Sequence, residues 1–182
     1  MKKTLKILGI LFIVLIAFRG SIYRLIISYD DIGNRQNVQL TNEKLISKIN
    51  HNISNINIDL NTIAEVANQI TNEELSFTMS ESSNNPNEIF DEKKANCVGY
   101  SSLFNSITTY IIFKNNLQDE IVAEHKIGEI YLFGVNLHQF FESQFFKDHD
   151  FNEIRNQKSG EQIFIDPSLS DNFRINRINV KD

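Results

Sequence analysis

The chain has 182 residues, of which 41% are hydrophobic and 23% are charged, a composition that suits one globular domain with a real core. Its formal net charge is -5, and its lysines and arginines are scattered beyond the N-terminus, so no basic face for nucleic acid is expected. Cys97 is the only cysteine, which excludes an internal disulfide and a cysteine-based zinc site.

The N-terminal segment has the pattern of an export signal. Three lysines in the first six residues precede a run of apolar or small residues over 7–18, and apolar residues continue around two arginines. A cleaved signal and a retained anchor both fit this pattern, but small residues suited to a cleavage site are hard to place near Ala17. We therefore expect residues 1–29 to be an uncleaved signal anchor. The protein is then a single-pass cell-membrane protein with domain 30–182 on the outer side.

The next part of the chain predicts helices. A polar connection is expected from Asp30 to Leu40, followed by a helix that Thr41 caps and that runs to about Asn50. A second helix is expected from Leu60 to Ile70. Leu75–Met79 has strand character, and Ser80–Asn87 has the turn chemistry of a loop.

The stretch around Cys97 opens the most clearly periodic helix. Asn96 is a suitable N-cap, which places Cys97 in the first turn. A thiol there lies near the positive end of the helix dipole, which favours the thiolate. The alternative is a buried cysteine that packs as a small hydrophobe. Apolar residues then recur at helical spacing: Tyr100, Leu103, Phe104, Ile107, Tyr110 and Ile111.

Beyond this helix the pattern changes to a period of two residues. It predicts strands over 120–124 and 129–137, then a hairpin of 149–156 with 161–166, and an edge strand in the tail over 172–180. Helices followed by an antiparallel sheet make an α+β fold.

A cysteine nucleophile needs a base, and the base needs an orienting acid. Among the four histidines, His149 alone begins a strand whose hairpin partner ends in an acid, Asp166. If the two strands pair, these residues lie opposite one another and Asp166 can fix the imidazole tautomer. The alternatives are that His149 lies in a polar surface loop, or that His125 and His138 form a zinc site, for which the ligand spacing is poor.

Three motifs in order resemble those of the transglutaminase-like superfamily, part of the papain-like group. The first is Cys97 at a helix start, followed by Gly-Tyr and Leu-Phe pairs. The second is His149–Ile154, which matches in the histidine, the aromatic, the Asn, the Glu and the apolar position. The third is Asp166 at a strand end before Pro167. Two positions depart from the pattern, because Phe151 replaces the usual Trp and an aspartate replaces a small residue at 150.

The resemblance implies a bacterial, membrane-anchored member with a catalytic triad of Cys97, His149 and Asp166. Its papain-like core, about 88–169, packs the cysteine helix on the antiparallel sheet. The implied activity is acyl transfer on a peptide or glutamine carboxamide, as a protease, deamidase or transglutaminase. The expected partners are a protein or peptide substrate and the membrane, with no cofactor or metal. A binding module that keeps the fold without turnover is the alternative.

The resemblance also implies an oxyanion hole. The backbone N–H of Cys97 is expected to supply one donor. Asn96 and residues near Ser76 are the candidates for the second donor.

Overall fold

Seven α-helices and a five-stranded antiparallel sheet form most of the chain in the computed structural model, which describes residues 2–80, 82–143 and 146–181. The helices are α1 (Lys2–Ala17), α2 (Arg19–Ile26), α3 (Glu43–Asn52), α4 (Leu60–Glu74), α5 (Pro86–Glu92), α6 (Cys97–Lys114) and α7 (Pro167–Phe173). The strands are β1 (Ile27–Arg35), β2 (Ser76–Phe77), β3 (Lys94–Ala95), β4 (Ile121–Leu132), β5 (Val135–Asn136), β6 (His149–Asn156) and β7 (Gln162–Ile165). The α+β class and the antiparallel sheet are confirmed.

The sheet has the order β1-β4-β6-β7, with β5 folded back on β4. The two strands expected over 120–124 and 129–137 are one strand of 12 residues, β4, followed by the short β5. Gly128 lies within β4. A glycine is needed there because a Cβ would be 2.6 Å from the ring of Phe151. The polar residue Lys126 also interrupts the apolar pattern, although it is only 7% exposed and pairs with Asp31 at 3.0 Å.

The segment expected as a polar connection is largely a strand. β1 pairs with β4 along its whole length, with a bulge between Asp31 and Gly33. Asp30 and Asp31 made the segment resemble a polar connection. They lie on a strand, however, and the neighbouring Tyr29 is fully buried. The strand runs through the boundary that the sequence suggested between residues 29 and 30, and it ends at the partly exposed Arg35.

The helices differ from the sequence prediction mainly at their ends. α3 is capped by Asn42 rather than Thr41, because the Asn42 side chain accepts hydrogen bonds from two backbone N–H groups of the first turn. α5 begins inside the loop expected over Ser80–Asn87, since Asn85 caps it and Pro86 occupies its first position. In the tail, an edge strand was expected over 172–180. Its first two residues belong to α7 instead, and Val180 forms a single bridge with Tyr29.

The first helix, α1, leaves most of its described side chains exposed. These include Leu8, Leu11, Phe12, Ile13, Val14, Leu15 and Ile16. Across the described ranges, we find no helix that combines the length and the apolar character needed to cross a bilayer.

The cysteine helix α6 is the centre of the core. Thirteen of its 18 residues are buried, because it packs against α4, α5 and α7 on one side and β4 and β6 on the other. The predicted cap is confirmed, since the Asn96 side chain accepts a hydrogen bond from the backbone N–H of Gly99 at 3.1 Å. The burial of its first turns fixes the position of Cys97.

Gly99 is needed because two neighbouring side chains approach the first turn of α6. A Cβ there would lie 2.6 Å from the Cβ of Ala95 and 3.2 Å from Ile89. We expect Gly99→Ala to lower the free energy of unfolding by about 1–3 kcal/mol, measured by urea denaturation. The matched control is Gly20→Ala in α2, where the nearest atom would be at an ordinary 3.5 Å. Equal stability of the two variants would show that the close approach is not a constraint.

Candidate active site

Asp166 sits between β7 and α7 with its side chain 2% exposed. Its carboxylate accepts four hydrogen bonds: from Nε2 of His149 at 2.7 Å, the Tyr29 hydroxyl at 3.0 Å, the Ser168 hydroxyl at 2.7 Å and the Leu169 backbone N–H at 3.0 Å. Burial alone would raise the pKa of Asp166. The charge and hydrogen bond of His149, with the other donors, outweigh burial and lower it.

The hairpin brings His149 and Asp166 together, but in a different register from the one expected. The last β6–β7 pair is Asn152 with Ile165, so Asp166 lies across from Phe151 rather than from His149. His149 is two residues further along the same strand. Because side chains alternate with a period of two, the two residues share a face and meet diagonally.

His149 is held between Asp166 and the thiol. Its side chain is 20% exposed, and its ring packs edge-on against Tyr29 with centroids 5.9 Å apart. Nε2 binds the carboxylate of Asp166, so Nδ1 is the ring nitrogen that can bind the Cys97 thiol. Burial alone would lower the pKa of His149, but the Asp166 carboxylate and then the hydrogen bond and charge of Cys97 raise it well above its ordinary value. The imidazolium form is therefore favoured beside the thiol.

Cys97 is 6% exposed, and its access to solvent is through a cavity of about 240 Å³ that His149 also lines. We call this space the thiol cavity; its apolar walls are Phe77, Met79, Ile130, Leu137, Phe141 and Phe146. A cysteine that packs only as a small hydrophobe has no polar partner, whereas Cys97 faces an imidazole. The structure thus brings together all three residues named from the sequence.

A second polar cluster, which the sequence reasoning missed, is buried on the same strand. Asp150 is fully buried, and its carboxylate binds Nε2 of His125 at 2.6 Å. Arg35 donates to both of its oxygens, at 2.5 Å and 3.0 Å. The sequence did contain a sign of this cluster, because Asp150 stands beside His149 where the motif has a small residue. It was not recognised, because Arg35 fell in the segment taken for a connection.

Arg35 brings a second positive charge to the neighbourhood of the thiol. The hydrogen bonds of Asp150 raise the pKa of Arg35 most, and the charge of Cys97 contributes in the same direction. A further cavity of about 350 Å³, lined by Arg35, His125, Val98 and Ser102, borders the same first turns of α6. The charge of Cys97 is therefore felt by two cationic groups, His149 and Arg35.

The zinc alternative finds no support in this arrangement. His125 binds Asp150, and Nδ1 of His138 lies 2.6 Å from the backbone oxygen of Phe146. Within the described residues, no three or more His, Cys, Asp or Glu side chains are grouped so that they would hold a metal ion.

The candidate oxyanion donors are placed as follows. The side-chain oxygen of Asn96 caps α6. β2 at Ser76 pairs in parallel with β3, so its backbone serves that small sheet and directs Phe77 and Met79 to the thiol cavity. The backbone N–H of Cys97 belongs to the first turn, where N–H groups have no partner within the helix. Its role as an oxyanion donor stays a prediction.

Comparison with known proteins gives no relative: the chain matches no known family, no curated protein and no solved structure. The likeness to the transglutaminase-like superfamily therefore rests on the three motifs. The chemistry rests on the distances and contacts given above.

The His149–Asp166 pair makes stability depend on pH with a definite sign. Folding raises the pKa of His149, so its contribution is complete below about pH 6.5 and is lost as the pH rises through the folded pKa. Asp166, whose pKa is lowered, stays charged throughout this range. In Asp166→Asn the free energy of unfolding, measured in urea from about pH 6 to 9, should fall less steeply with pH.

The matched control for this variant is Asp148→Asn, since Asp148 is half-exposed near the same site and its one ion pair is a long contact of 3.9 Å to Arg35. It should keep the wild-type slope. A wild-type slope in Asp166→Asn would contradict the pairing.

Arg35 and Asp150 form a partly buried pair, with Arg35 34% exposed and Asp150 fully buried. In Arg35→Gln the Asp150 carboxylate keeps only His125 as a partner of opposite charge. We expect the free energy of unfolding to fall by about 2 kcal/mol. This is less than for a fully buried pair, because Arg35 is partly solvated. Arg35→Gln combined with Asp150→Asn should cost less than the sum of the single changes. Strict additivity in urea denaturation would show that the two residues do not interact energetically.

Proposed function

We propose that this chain is a thiol acyl-transfer enzyme of the transglutaminase-like superfamily, with a papain-like core, that acts on a peptide or glutamine carboxamide. The observation that carries the proposal is the position of His149, which binds the buried Asp166 through Nε2 and faces Cys97 on its other side. This is the order of nucleophile, base and orienting acid that acyl transfer needs.

In the acylation step, the Cys97 thiolate attacks the carbonyl carbon and a tetrahedral oxyanion forms. His149, already protonated, gives its proton to the leaving nitrogen. The carbon–nitrogen bond then breaks, ammonia or an amine leaves, and a thioester remains on Cys97. The backbone N–H of Cys97 then donates to the oxyanion.

In the deacylation step, the neutral His149 takes a proton from water or from an acceptor amine, which attacks the thioester. The carbon–sulfur bond breaks and the pair of Cys97 thiolate and His149 imidazolium is restored. Water gives hydrolysis or deamidation, and an amine gives a cross-link. Protease, deamidase and transglutaminase activity therefore share the same residues and differ in the substrate and the acceptor.

Asp166 acts through His149 rather than on the substrate. Its four hydrogen bonds fix the carboxylate, and the carboxylate fixes the imidazole ring and favours its charged form. Tyr29 supports the arrangement twice, since its hydroxyl donates to Asp166 and its ring packs against His149. Arg35, held by Asp150, adds a second positive charge, and the charge of Cys97 contributes to raising the pKa of Arg35.

The proposed enzyme is tethered to a membrane through its N-terminal segment. The support is the exposed apolar surface of α1 together with the positive charge at its start.

The rival proposal is a binding module without turnover. It was suggested by the unusual residues at positions 150 and 151, but both have structural roles. Asp150 holds Arg35 and His125, and Phe151 packs edge-on against Tyr29 with centroids 5.5 Å apart. The two departures from the motif therefore do not favour loss of catalysis.

Thiol labelling separates the two functions. Because Cys97 is the only cysteine, iodoacetamide labelling followed by mass spectrometry reports on this thiol alone. We expect rapid labelling below pH 7, because the imidazolium of His149 stabilises the thiolate, and a loss of at least about tenfold in that rate in His149→Ala.

The control is His51→Ala, on an exposed face of α3, which should label like the wild type. Slow labelling that appears only above about pH 8, as for an ordinary thiol, would refute the enzyme proposal.

A further inference from the structure

Large apolar side chains are exposed next to α2, which follows directly after α1. Phe18 stands between the two helices and is 57% exposed, and Leu25 on α2 is 84% exposed. Phe133, in the turn after β4, is 75% exposed, and its backbone N–H donates to the carbonyl of Ile26 at 2.8 Å. The end of α2 and this turn are therefore held together.

The start of α2 is held to the end of α7. Nε of Arg19 donates to the carbonyl of Phe173 at 2.8 Å, and Nη2 donates to that of Arg174 at 3.3 Å. Phe173 is itself 62% exposed. A helix of 8 residues is about 12 Å long, so the two attachments lie close to one another. We call the exposed apolar residues beside this helix the α2 face: Phe18, Leu25, Phe133 and Phe173.

Phe133 has a backbone conformation that a bulky residue rarely adopts. It forms a two-residue turn with Gly134 between β4 and β5, and the φ angles of the two residues are +48° and +82°. A turn with positive φ at both positions favours Asn, Asp or Gly at the first of them, and a phenylalanine there is sterically costly. An exposed aromatic ring held at such a cost points to a contact outside the domain.

The charge near the α2 face contrasts with the net charge of -5 of the chain. Arg24 and Arg174 are exposed. The guanidinium of Arg19 binds backbone carbonyl oxygens, which do not neutralise it. The first acidic residue in the sequence is Asp30, so α1 and α2 contain none. Aromatic and aliphatic side chains beside arginines suit the interface of an anionic bilayer.

We propose that the α2 face docks on the surface of an anionic lipid bilayer. Phe133 and Leu25 enter the boundary between headgroups and acyl chains, and Arg24 and Arg174 bind lipid phosphates. The occupant is a bilayer because the face is continuous with α1, the proposed tether, which ends at Ala17. The tether keeps the bilayer within reach of this face, and the charges of the two are complementary.

This inference rests on the membrane tether in the proposed function and gives the tethered domain a defined orientation. Tyr23 of α2 has its hydroxyl 2.8 Å from that of Tyr29, which donates to Asp166. Docking of α2 therefore holds the proposed active site beside the membrane, where a membrane-associated peptide or protein is the substrate within reach.

The chain contains no tryptophan, so Phe133→Trp introduces a single fluorescent reporter on the α2 face. The full chain is bound to vesicles of phosphatidylcholine and phosphatidylglycerol, with and without acyl chains that are brominated near the headgroup. We expect the emission to move to shorter wavelength on binding, and to fall at least about twofold with brominated lipid, since the ring enters the acyl-chain boundary.

The matched control is Phe113→Trp, at an aromatic residue that is 61% exposed near the end of α6. This end of α6 lies beside the start of β4, because the backbone N–H of Leu117 donates to Ile112 and that of Ile121 to Leu117. Phe133 follows the other end of β4, about 40 Å away along a strand of 12 residues. The reporter at 113 should keep its emission in water and escape quenching.

The electrostatic part of the docking is examined in the chain that carries Phe133→Trp. Adding Arg24→Glu should lower the quenching at least about threefold, and vesicles of phosphatidylcholine alone should have a similar effect. Lys44→Glu makes the same change of charge at an exposed position on α3 and should leave the quenching unchanged. Equal quenching with and without phosphatidylglycerol would overturn the anionic preference.

The outcomes separate the docking from the tether on which it rests. If the chain sediments with vesicles but the reporter at 133 is not quenched, or both reporters are quenched equally, the docking is wrong and the tether stands. Emission at short wavelength without lipid, dependent on protein concentration, would assign the α2 face to a second copy of the chain and overturn the docking. Failure of the chain to sediment with vesicles would overturn the tether itself.

Discussion

The hydrogen bond between His149 and the buried carboxylate of Asp166 is the interaction on which the site depends. An ionised carboxylate that is 2% exposed costs several kcal/mol unless it is fully bonded. Here β6, β1 and the start of α7 each supply a donor, from His149, Tyr29 and Leu169. The hairpin, the edge strand and the last helix must all be in place before the imidazole is held against the thiol.

Strand alternation along β6 builds two polar clusters from adjacent residues. His149 and Asp150 point to different sides, so that one meets Asp166 and Cys97 while the other meets His125 and Arg35. Both clusters lie close to the first turns of α6. The thiol thereby lies at a helix N-terminus, where its charge contributes to raising the pKa of both His149 and Arg35.

The sequence predicted those parts of the fold where local pattern and tertiary packing agree. The cap at Asn96, the helix that follows and the hairpin ending at Asp166 all have strong local signals, and they place the three site residues. β1 was missed because its acidic residues resemble a connection, and only pairing with β4 makes it a strand. Arg35 was missed with it. The diagonal contact of His149 and Asp166 depends on the strand register, which turn chemistry alone did not fix.

The pairing of the Cys97 thiolate with the His149 imidazolium is tested most directly by NMR titration of the His149 ring in the wild type and in Cys97→Ala. The coupling is reciprocal, since the charge and hydrogen bond of Cys97 raise the pKa of His149. Removal of the thiol should therefore lower the pKa of His149 while Asp166 still keeps it above the value in Asp166→Asn. An unchanged pKa of His149 in Cys97→Ala would contradict the pair.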